Sequence, residues 1–437
     1  MTGQPEQPRA RPHRWRWCGR VVLAAAAALA TLRLTSIQGC LRPVRITGGS
    51  MADAFCGPHF PVTCHECGMP FRCGTEFPPA GNLATCPNCG CHDNPVDTSR
   101  PAPGQRVVID RWAGKIPGLR VWQAVAIRTP HDPHRLTVKR LVARGPGRVA
   151  IRDGDVYLNH QIQRKSLAQL RDVRILVHDD TYRAPQADRW QPARPDAAWK
   201  ATSTGYVFVP ATRPDLQVQW LDYTQWTCWP HDDPDRDRTQ HVPIFDHDAY
   251  NQSLSRGGLH PVPDIMLACQ LQVSEPGHCI LRLTSRGDEF TWDFAAAPDN
   301  CQLRWNGRAV ATAPGPHRPA PWLIELAACD QRLLAAVDGV IVFEFPYQPT
   351  AGASRDQRRL SIGGRDAHVR FETPRVYRDL HYGGPGGAER WEASEPLQAA
   401  EWFVLGDNVP ISIDSRLWSA IAGRDILGPV RPWIRFR

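Results

Sequence analysis

No apolar run in this chain reaches membrane-spanning length without interruption. The longest, VVLAAAAALATL at 21–32, holds twelve residues, whereas a spanning helix needs about twenty. A second basic patch is also missing. Net charge is +8, from 52 basic and 44 acidic residues, but Arg9, Arg11, Arg14, Arg16 and Arg20 stand against Glu6 in the first twenty positions. With nothing comparable later, charge gives no support to a nucleic-acid partner. There is no internal repeat, and no low-complexity tract beyond the alanine run, so repeat architectures are excluded. What is abundant is turn chemistry: 41 prolines and 34 glycines among 437 residues, with 42% hydrophobic residues. That balance predicts a loop-rich, mainly β protein, long enough for two or three domains with cores of their own.

The first forty residues carry the expectation of location. The twelve-residue run continues, more weakly, to Leu41, broken by Arg33 and Gln38. Read that far it is long enough to span, with Arg33 snorkelling to the interface. A cleaved signal peptide has the same basic head and apolar middle. No clear small-x-small site stands close before ITGGSM at 46–51, so the reading adopted is an uncleaved anchor. The positive flank then places the N-terminus in the cytoplasm and the rest outside, at a cell (inner) membrane crossed once.

Strand signals follow. RVVID at 106–110, VWQAVAIR at 121–128 and TVKRLVA at 137–143 are rich in Val and Ile, and RVAIR-Asp153-Gly154-DVYLN reads as a hairpin, because Asp-Gly supplies the positive φ of a primed turn. From about 181 to 260 Trp, Asp, Pro and His are frequent without clear periodicity. Alternation returns from about 262 to 380: Phe290, Trp292 and Phe294 alternate, and Asn306-Gly307 and Asp338-Gly339 mark turns. That pattern predicts a β-sandwich.

Three short segments carry candidate chemistry. In ITGGSM the Gly48-Gly49 pair leaves the backbone open around Ser50, whose hydroxyl could meet a carbonyl. In TVKRLVARGPG strand alternation can aim Lys139 at apolar surroundings. A lysine with an ordinary pKa of about 10.4 is almost wholly charged at pH 7, and desolvation lowers that pKa and yields a usable base. In FVLGDNVPISIDSRLW at 403–418 an apolar strand empties into Asp407 and Asn408, then Ser412, Asp414, Ser415 and Arg416. Polar groups gathered behind a hydrophobic strand must bond one another or serve chemistry.

Together these segments resemble the type I signal peptidases, membrane-bound Ser/Lys endopeptidases. The match covers roughly residues 20–55, 101–165 and 400–430, under half of the chain. The resemblance implies Ser50 as nucleophile and oxyanion donor through its N–H, Lys139 as general base, and Ser412 as the group orienting the Lys139 ammonium. Asp407, Asp414, Arg416 and Arg140 would form the supporting network. It further implies preprotein substrates cut after Ala-x-Ala-like sequences, contact with membrane lipid and the secretion machinery, and no catalytic cofactor. Two departures stand out: Ala52-Asp53-Ala54 where the family has a proline after Ser-Met, and Val409 where it has an arginine after GDN. Gly48 stands where some members have serine.

Between Ser50 and Lys139 lies a cysteine island. Cys64-x2-Cys67 and Cys86-x2-Cys89 are eighteen residues apart, each pair followed by glycine. The spacing fits a four-cysteine structural zinc site, disulfides being the alternative in an oxidising compartment. Cys56, Cys73 and Cys91 are spare. WLIELAACDQRLLAAVDGVIVFEF at 322–345 weakly resembles the laminin-G or concanavalin-like modules, which bind glycans or proteins or serve as plain scaffolds. With no metal or sugar-binding constellation in the block, the reading taken is a scaffold or contact surface whose tryptophans are core. The expected fold is therefore mainly β: a signal-peptidase-type antiparallel catalytic fold with an N-terminal transmembrane helix, an inserted zinc ribbon and an inserted β-sandwich. The expected parts are a basic segment 1–20, an anchor 21–41, catalytic parts 42–55, 101–180 and 396–437, the ribbon 56–95, and the sandwich-containing insertion 181–395. The rival expectation is an inactive scaffold whose sandwich binds a cell-surface glycan or protein.

Overall fold

The computed structural model describes residues 14–33, 40–112, 118–132, 134–184, 188–210, 217–225, 242–252, 258–274, 277–295, 298–350 and 359–433. One seven-stranded antiparallel sheet gathers three distant parts of the chain. Its order is Leu41–Arg45, Arg106–Asp110, Ile426–Pro432, Ala124–Arg128, Leu136–Arg144, Glu401–Leu405 and Ile421–Ala422. The strand Ala124–Arg128 is buried along its first four residues, because both faces of the sheet are covered. Ala124 and Ala126 pack with Met51, Phe55 and Val107 on one side; Val125 and Ile127 pack with Leu141, Trp402 and Val404 on the other. Each such large side chain removed from water contributes about 1.5–3 kcal/mol.

The hairpin at 149–158 forms as its turn residues dictate, with Asp153 at φ 50° and Gly154 at φ 93°. It joins a small sheet with Gln161–Ile162 and Arg390–Glu392.

Two further sheets face each other as a β-sandwich. One includes Ile265–Val273, Trp322–Cys329, Arg332–Val337 and Val369–Arg378; the other includes Gln219–Tyr223, Leu360–Gly364, His278–Ser285, Asp288–Ala295 and Asn300–Trp305. Phe290, Trp292 and Phe294 enter the shared core while Thr291 and Asp293 face out, the alternation visible in the sequence. The stretch 181–260, which lacks periodicity in sequence, contributes Trp190–Pro192, Trp199–Ala201, Gly205–Phe208 and Gln219–Tyr223 to these sheets. Its strands are only three to five residues long, too short to show a period. Ile175–Asp179, in the segment read as catalytic, pairs with Val369–Arg378 and so belongs to the sandwich sheet.

The expected anchor is corrected. The helix at the N-terminus runs Arg14–Leu32, and no helix among the described residues is long and apolar enough to cross a membrane. The physical reason is composition: the helix takes in Arg14, Arg16 and Arg20, which leaves only the twelve-residue apolar run. Leu41 opens a strand instead of closing a span, and residues 34–39 lie outside the described residues. A single-pass transmembrane helix, and the inner-membrane location inferred from it, are not upheld.

Candidate functional site

The strand Leu136–Arg144 pairs with Glu401–Leu405 through Arg140 and Leu405, so the GDN turn emerges beside Lys139. Lys139 is buried at 2% exposure, and its ammonium donates to Ser412 Oγ at 2.8 Å. Burial pushes its pKa down to about 8, against the opposing pull of Asp414 and Asp407 and with a further push from Arg416. Desolvation outweighs the two carboxylates because both are already neutralised by arginines, as follows.

Arg140 grips Asp407 through both nitrogens, Nε to Oδ1 at 2.7 Å and Nη2 to Oδ2, and also donates to the Trp122 carbonyl at 2.8 Å. Arg416 grips Asp414, Nε to Oδ1 and Nη2 to Oδ2, both at 2.8 Å. Burial alone would raise the Asp414 pKa, yet the hydrogen bonds and charge of Arg416 hold it below the ordinary carboxylate value. Asp414 also caps the short helix Ser415–Trp418 and accepts from the Gly406 N–H at 3.0 Å. Asp414 thus leans on Arg416 and leaves Arg140 to Asp407, which is how the loop closes without an arginine at 409. Val409 instead packs against the apolar cluster of Phe403 and Leu405, and its carbonyl accepts from Arg416 at 3.2 Å.

Ser50 is brought to the same turn. Its carbonyl accepts from the Asn408 N–H at 3.1 Å. A methyl group on Gly406 would lie 2.1 Å from Ser412 Oγ and 2.6 Å from the Ser50 carbonyl oxygen. Only glycine permits that approach. The Ser50 backbone, Ser412 and Lys139 therefore meet around Gly406; the Lys139 ammonium donates to Ser412, and among the described residues no hydrogen bond joins it to Ser50.

Three further residues at the site carry no signal in the sequence. Gly49 N–H reaches Glu76 Oε1 at 3.4 Å, Asn251 Oδ1 accepts from Asn408 Nδ2 at 2.9 Å, and the Tyr250 hydroxyl donates to the Gly57 carbonyl at 2.9 Å. Tyr250 and Asn251 come from the segment without periodicity, so no pattern could have placed them here.

The cysteine island folds as two knuckles. Gly68 N–H donates to the Cys64 carbonyl and Gly90 N–H to the Cys86 carbonyl, both glycines at positive φ. Cys64 and Cys89 sulfurs are 3.5 Å apart and Cys67 and Cys86 sulfurs 3.7 Å, with all four thiols buried and unbridged. Disulfide sulfurs would be about 2.05 Å apart. Zinc–sulfur bonds of about 2.3 Å give tetrahedral edges near 3.8 Å. The donor set therefore fits a tetrahedral thiolate site and could hold a metal. Cys56, Cys73, Cys91, Cys269, Cys279, Cys301 and Cys329 are also free; Cys228 lies outside the described residues.

No family model matches the chain. No curated protein matches it either. Similar solved structures include the carbohydrate-binding module CBM66 from Bacillus subtilis, at 12% identity over 43% of this chain and 93% of that one, TM-score 0.27. They also include the Crh5 transglycosylase in complex with NAG, at 12% identity over 54% and 88%, TM-score 0.28. A Bacillus subtilis protein of unknown function with a galectin-like fold is similar at 12% identity over 54% and 96%, TM-score 0.21. None of these comparisons upholds the resemblance to type I signal peptidases read from the three motifs, and the signal-peptide processing, preprotein substrates and secretion partners that it implied fall with it.

Proposed function

We propose that the seven-stranded sheet carries a hydrolase of the serine type, an endopeptidase in chemical class, with Ser50 as nucleophile and Lys139 as general base. The observation that supports it is the buried Lys139 ammonium held 2.8 Å from Ser412 Oγ beside the Ser50 loop. Neutral Lys139 takes the Ser50 hydroxyl proton as Oγ bonds to the acyl carbon of the substrate. The protonated amine then gives that proton to the leaving nitrogen, and the acyl–nitrogen bond breaks. A water deprotonated by Lys139 attacks the ester, and the Ser50 oxygen leaves with the proton. Ser412 positions the amine, and the two Arg–Asp pairs hold Ser412 and the GDN turn.

The test is digestion of a mixed peptide library by the purified full chain, read by mass spectrometry from pH 7 to 9.5. Ser50→Ala and Lys139→Ala should each remove cleavage by at least about a thousandfold. Cleavage that survives both substitutions, or a wild type that cuts nothing in that range, overturns the proposal.

A second reading concerns the sandwich, as a glycan-binding module. It is favoured by the face of one sheet that turns away from the shared core. Trp220 lies across Gly363, where a methyl group would be 2.4 Å from Val218 and 3.0 Å from the indole. Arg282 stacks on that ring at 4.2 Å and donates to Ser361 Oγ, which itself donates to Asp222 at 2.6 Å. An aromatic plane ringed by paired polar groups suits a sugar, whose ring has one apolar face and an edge of hydroxyls. Glycan-array binding lost in Trp220→Ala but kept in Ser50→Ala supports this reading; equal binding by both variants refutes it.

A further inference from the structure

A cavity of about 230 Å³ lies behind the GDN turn, lined by Ser412 and Asp407 on one side and by Asp246, His260 and His381 on another. The last three are not used by the hydrolase chemistry. Asp246 and His260 face each other across the Phe245–Pro261 bridge. Backbone N–H of Asp246 donates to the His260 carbonyl at 3.1 Å, backbone N–H of His260 donates to Asp246 Oδ1 at 2.7 Å, and His260 Nδ1 lies 3.0 Å from Asp246 Oδ2. His381 follows the strand Val369–Arg378 and is seated on Gly154, whose missing side chain leaves room for the ring: a methyl group there would be 2.3 Å from His381 Nδ1. The two imidazoles lie nearly parallel, 17° apart in plane and 5.7 Å between centroids.

His381 is 8% exposed, and among the described residues no hydrogen bond reaches its ring nitrogens. The ring lines the cavity, so an ion held there can reach it. One donor atom from each of Asp246, His260 and His381 lies within 4.8 Å of the other two. Two imidazoles and one carboxylate suit a divalent first-row transition ion, zinc among them, and three protein ligands leave a coordination position open. Arg378 also lines the cavity, but its guanidinium is engaged by the Asp379 and His247 carbonyls at 3.2 and 2.9 Å.

We propose that Asp246, His260 and His381 form a second metal site, distinct from the cysteine ribbon, that holds a divalent transition ion with an open position toward the cavity. The ion would bind whether or not Ser50 and Lys139 are active. The experiment loads the full chain with Co²⁺ after chelator treatment, and measures metal content with the absorption spectrum. Thiolate-to-cobalt charge-transfer bands report the ribbon; weak ligand-field bands without them report the nitrogen–oxygen site.

His381→Ala should remove about one ion per chain and leave the thiolate bands intact, while Cys86→Ser should remove the thiolate bands and leave the other ion. His260→Gln serves as the second variant where His381→Ala does not fold, and should lose the same ion. A wild type whose bound cobalt is wholly accounted for by the thiolate bands, or histidine variants that keep the full metal content, overturns the proposal.

Discussion

Lys139 and Ser412 are separated by 273 positions in sequence and by 2.8 Å in space, Nζ to Oγ, at a site where Lys139 is almost wholly out of water. The contact supplies one hydrogen bond to the ammonium but no countercharge. Asp407 and Asp414, whose charges pull on the ammonium, are gripped in bidentate fashion by Arg140 and Arg416 respectively. A buried amine beside neutralised carboxylates is under pressure to give up its proton. Hydrolysis should therefore rise along one alkaline limb with its midpoint near the pKa of about 8 to which burial lowers Lys139. A profile that is flat from pH 6 to 9.5 would rule lysine out as the base. Ser412→Ala should lower kcat roughly ten- to a hundredfold without removing that limb, as a positioning residue would.

The same burial has a stability consequence. Lys139 titrates near 8 in the folded chain against an ordinary 10.5. Below pH 8 both states are protonated and folding carries the full cost of the buried charge. Between about 8 and 10.5 only the unfolded chain keeps the proton, so stability rises with pH, and above that window the cost is gone. The cost is on the order of 3 kcal/mol, partly offset by about 1 kcal/mol for the bond to Ser412. Lys139→Met should therefore be inactive yet more stable than wild type by about 2 kcal/mol at pH 7. Denaturant titrations at pH 7 and 10 should show the gap shrinking; a variant less stable at pH 7 refutes the account.

Some of this was legible beforehand. Alternation placed Phe290, Trp292 and Phe294 in the core, and Asp153-Gly154, Asn306-Gly307 and Asp338-Gly339 took the positive φ values their turns require. The three polar segments do meet, because strand pairing joins Leu136–Arg144 to Glu401–Leu405 and the Asn408 N–H donates to the Ser50 carbonyl. What the sequence hid was long-range. The short strands from Trp190 to Tyr223 have no measurable period and owe their state to sheet neighbours. Asn251 and Tyr250 reach the site only through tertiary packing. The family resemblance and the anchor share one weakness: short motifs and a twelve-residue apolar run do not specify a whole architecture. The helix ends at Leu32, short of the span that reading to Leu41 required.

The junction between the 149–158 hairpin and the sandwich is a buried charge cluster in which Lys165 is decisive. Its ammonium bonds Asp330 Oδ1 at 2.5 Å and Asp379 Oδ2 at 2.9 Å, while Arg286 serves Asp155 at 2.9 Å and Asp264 at 3.0 Å. Burial lifts Asp379 to about 7 even against Lys165. Its folded pKa thus exceeds the ordinary 3.8, so the folded chain holds an extra proton and stability falls as pH rises through that interval. Lys165→Met removes the cation and leaves the carboxylates facing one another. It should cost about 3–5 kcal/mol at pH 7, and the loss should shrink at pH 5 as carboxylates protonate. Chemical denaturation at the two pH values measures both; an equal loss at pH 5 and 7 excludes the charge explanation.

The ribbon is tied to the candidate site through the segment 248–252. Gly74 N–H donates to the Tyr250 carbonyl at 2.6 Å, Gln252 exchanges two hydrogen bonds with the Thr85 backbone at 2.7 and 2.8 Å, and Asn251 receives Asn408 from the GDN turn. Four thiols packed at 3.5–3.7 Å without a disulfide form a set that could hold a metal ion. Cys67→Ser with Cys86→Ser should therefore release about one ion per chain and open 56–95 to proteolysis. Because the ribbon holds Tyr250 and Asn251, and they hold Asn408, hydrolysis should fall by roughly tenfold or more. The alkaline limb should stay near 8 or move slightly lower, since Glu76 in the ribbon makes no hydrogen bond to Lys139 and acts on it only through a charge that raises its pKa. Full activity in the double variant, with the ion gone, would show that the ribbon and the site are independent.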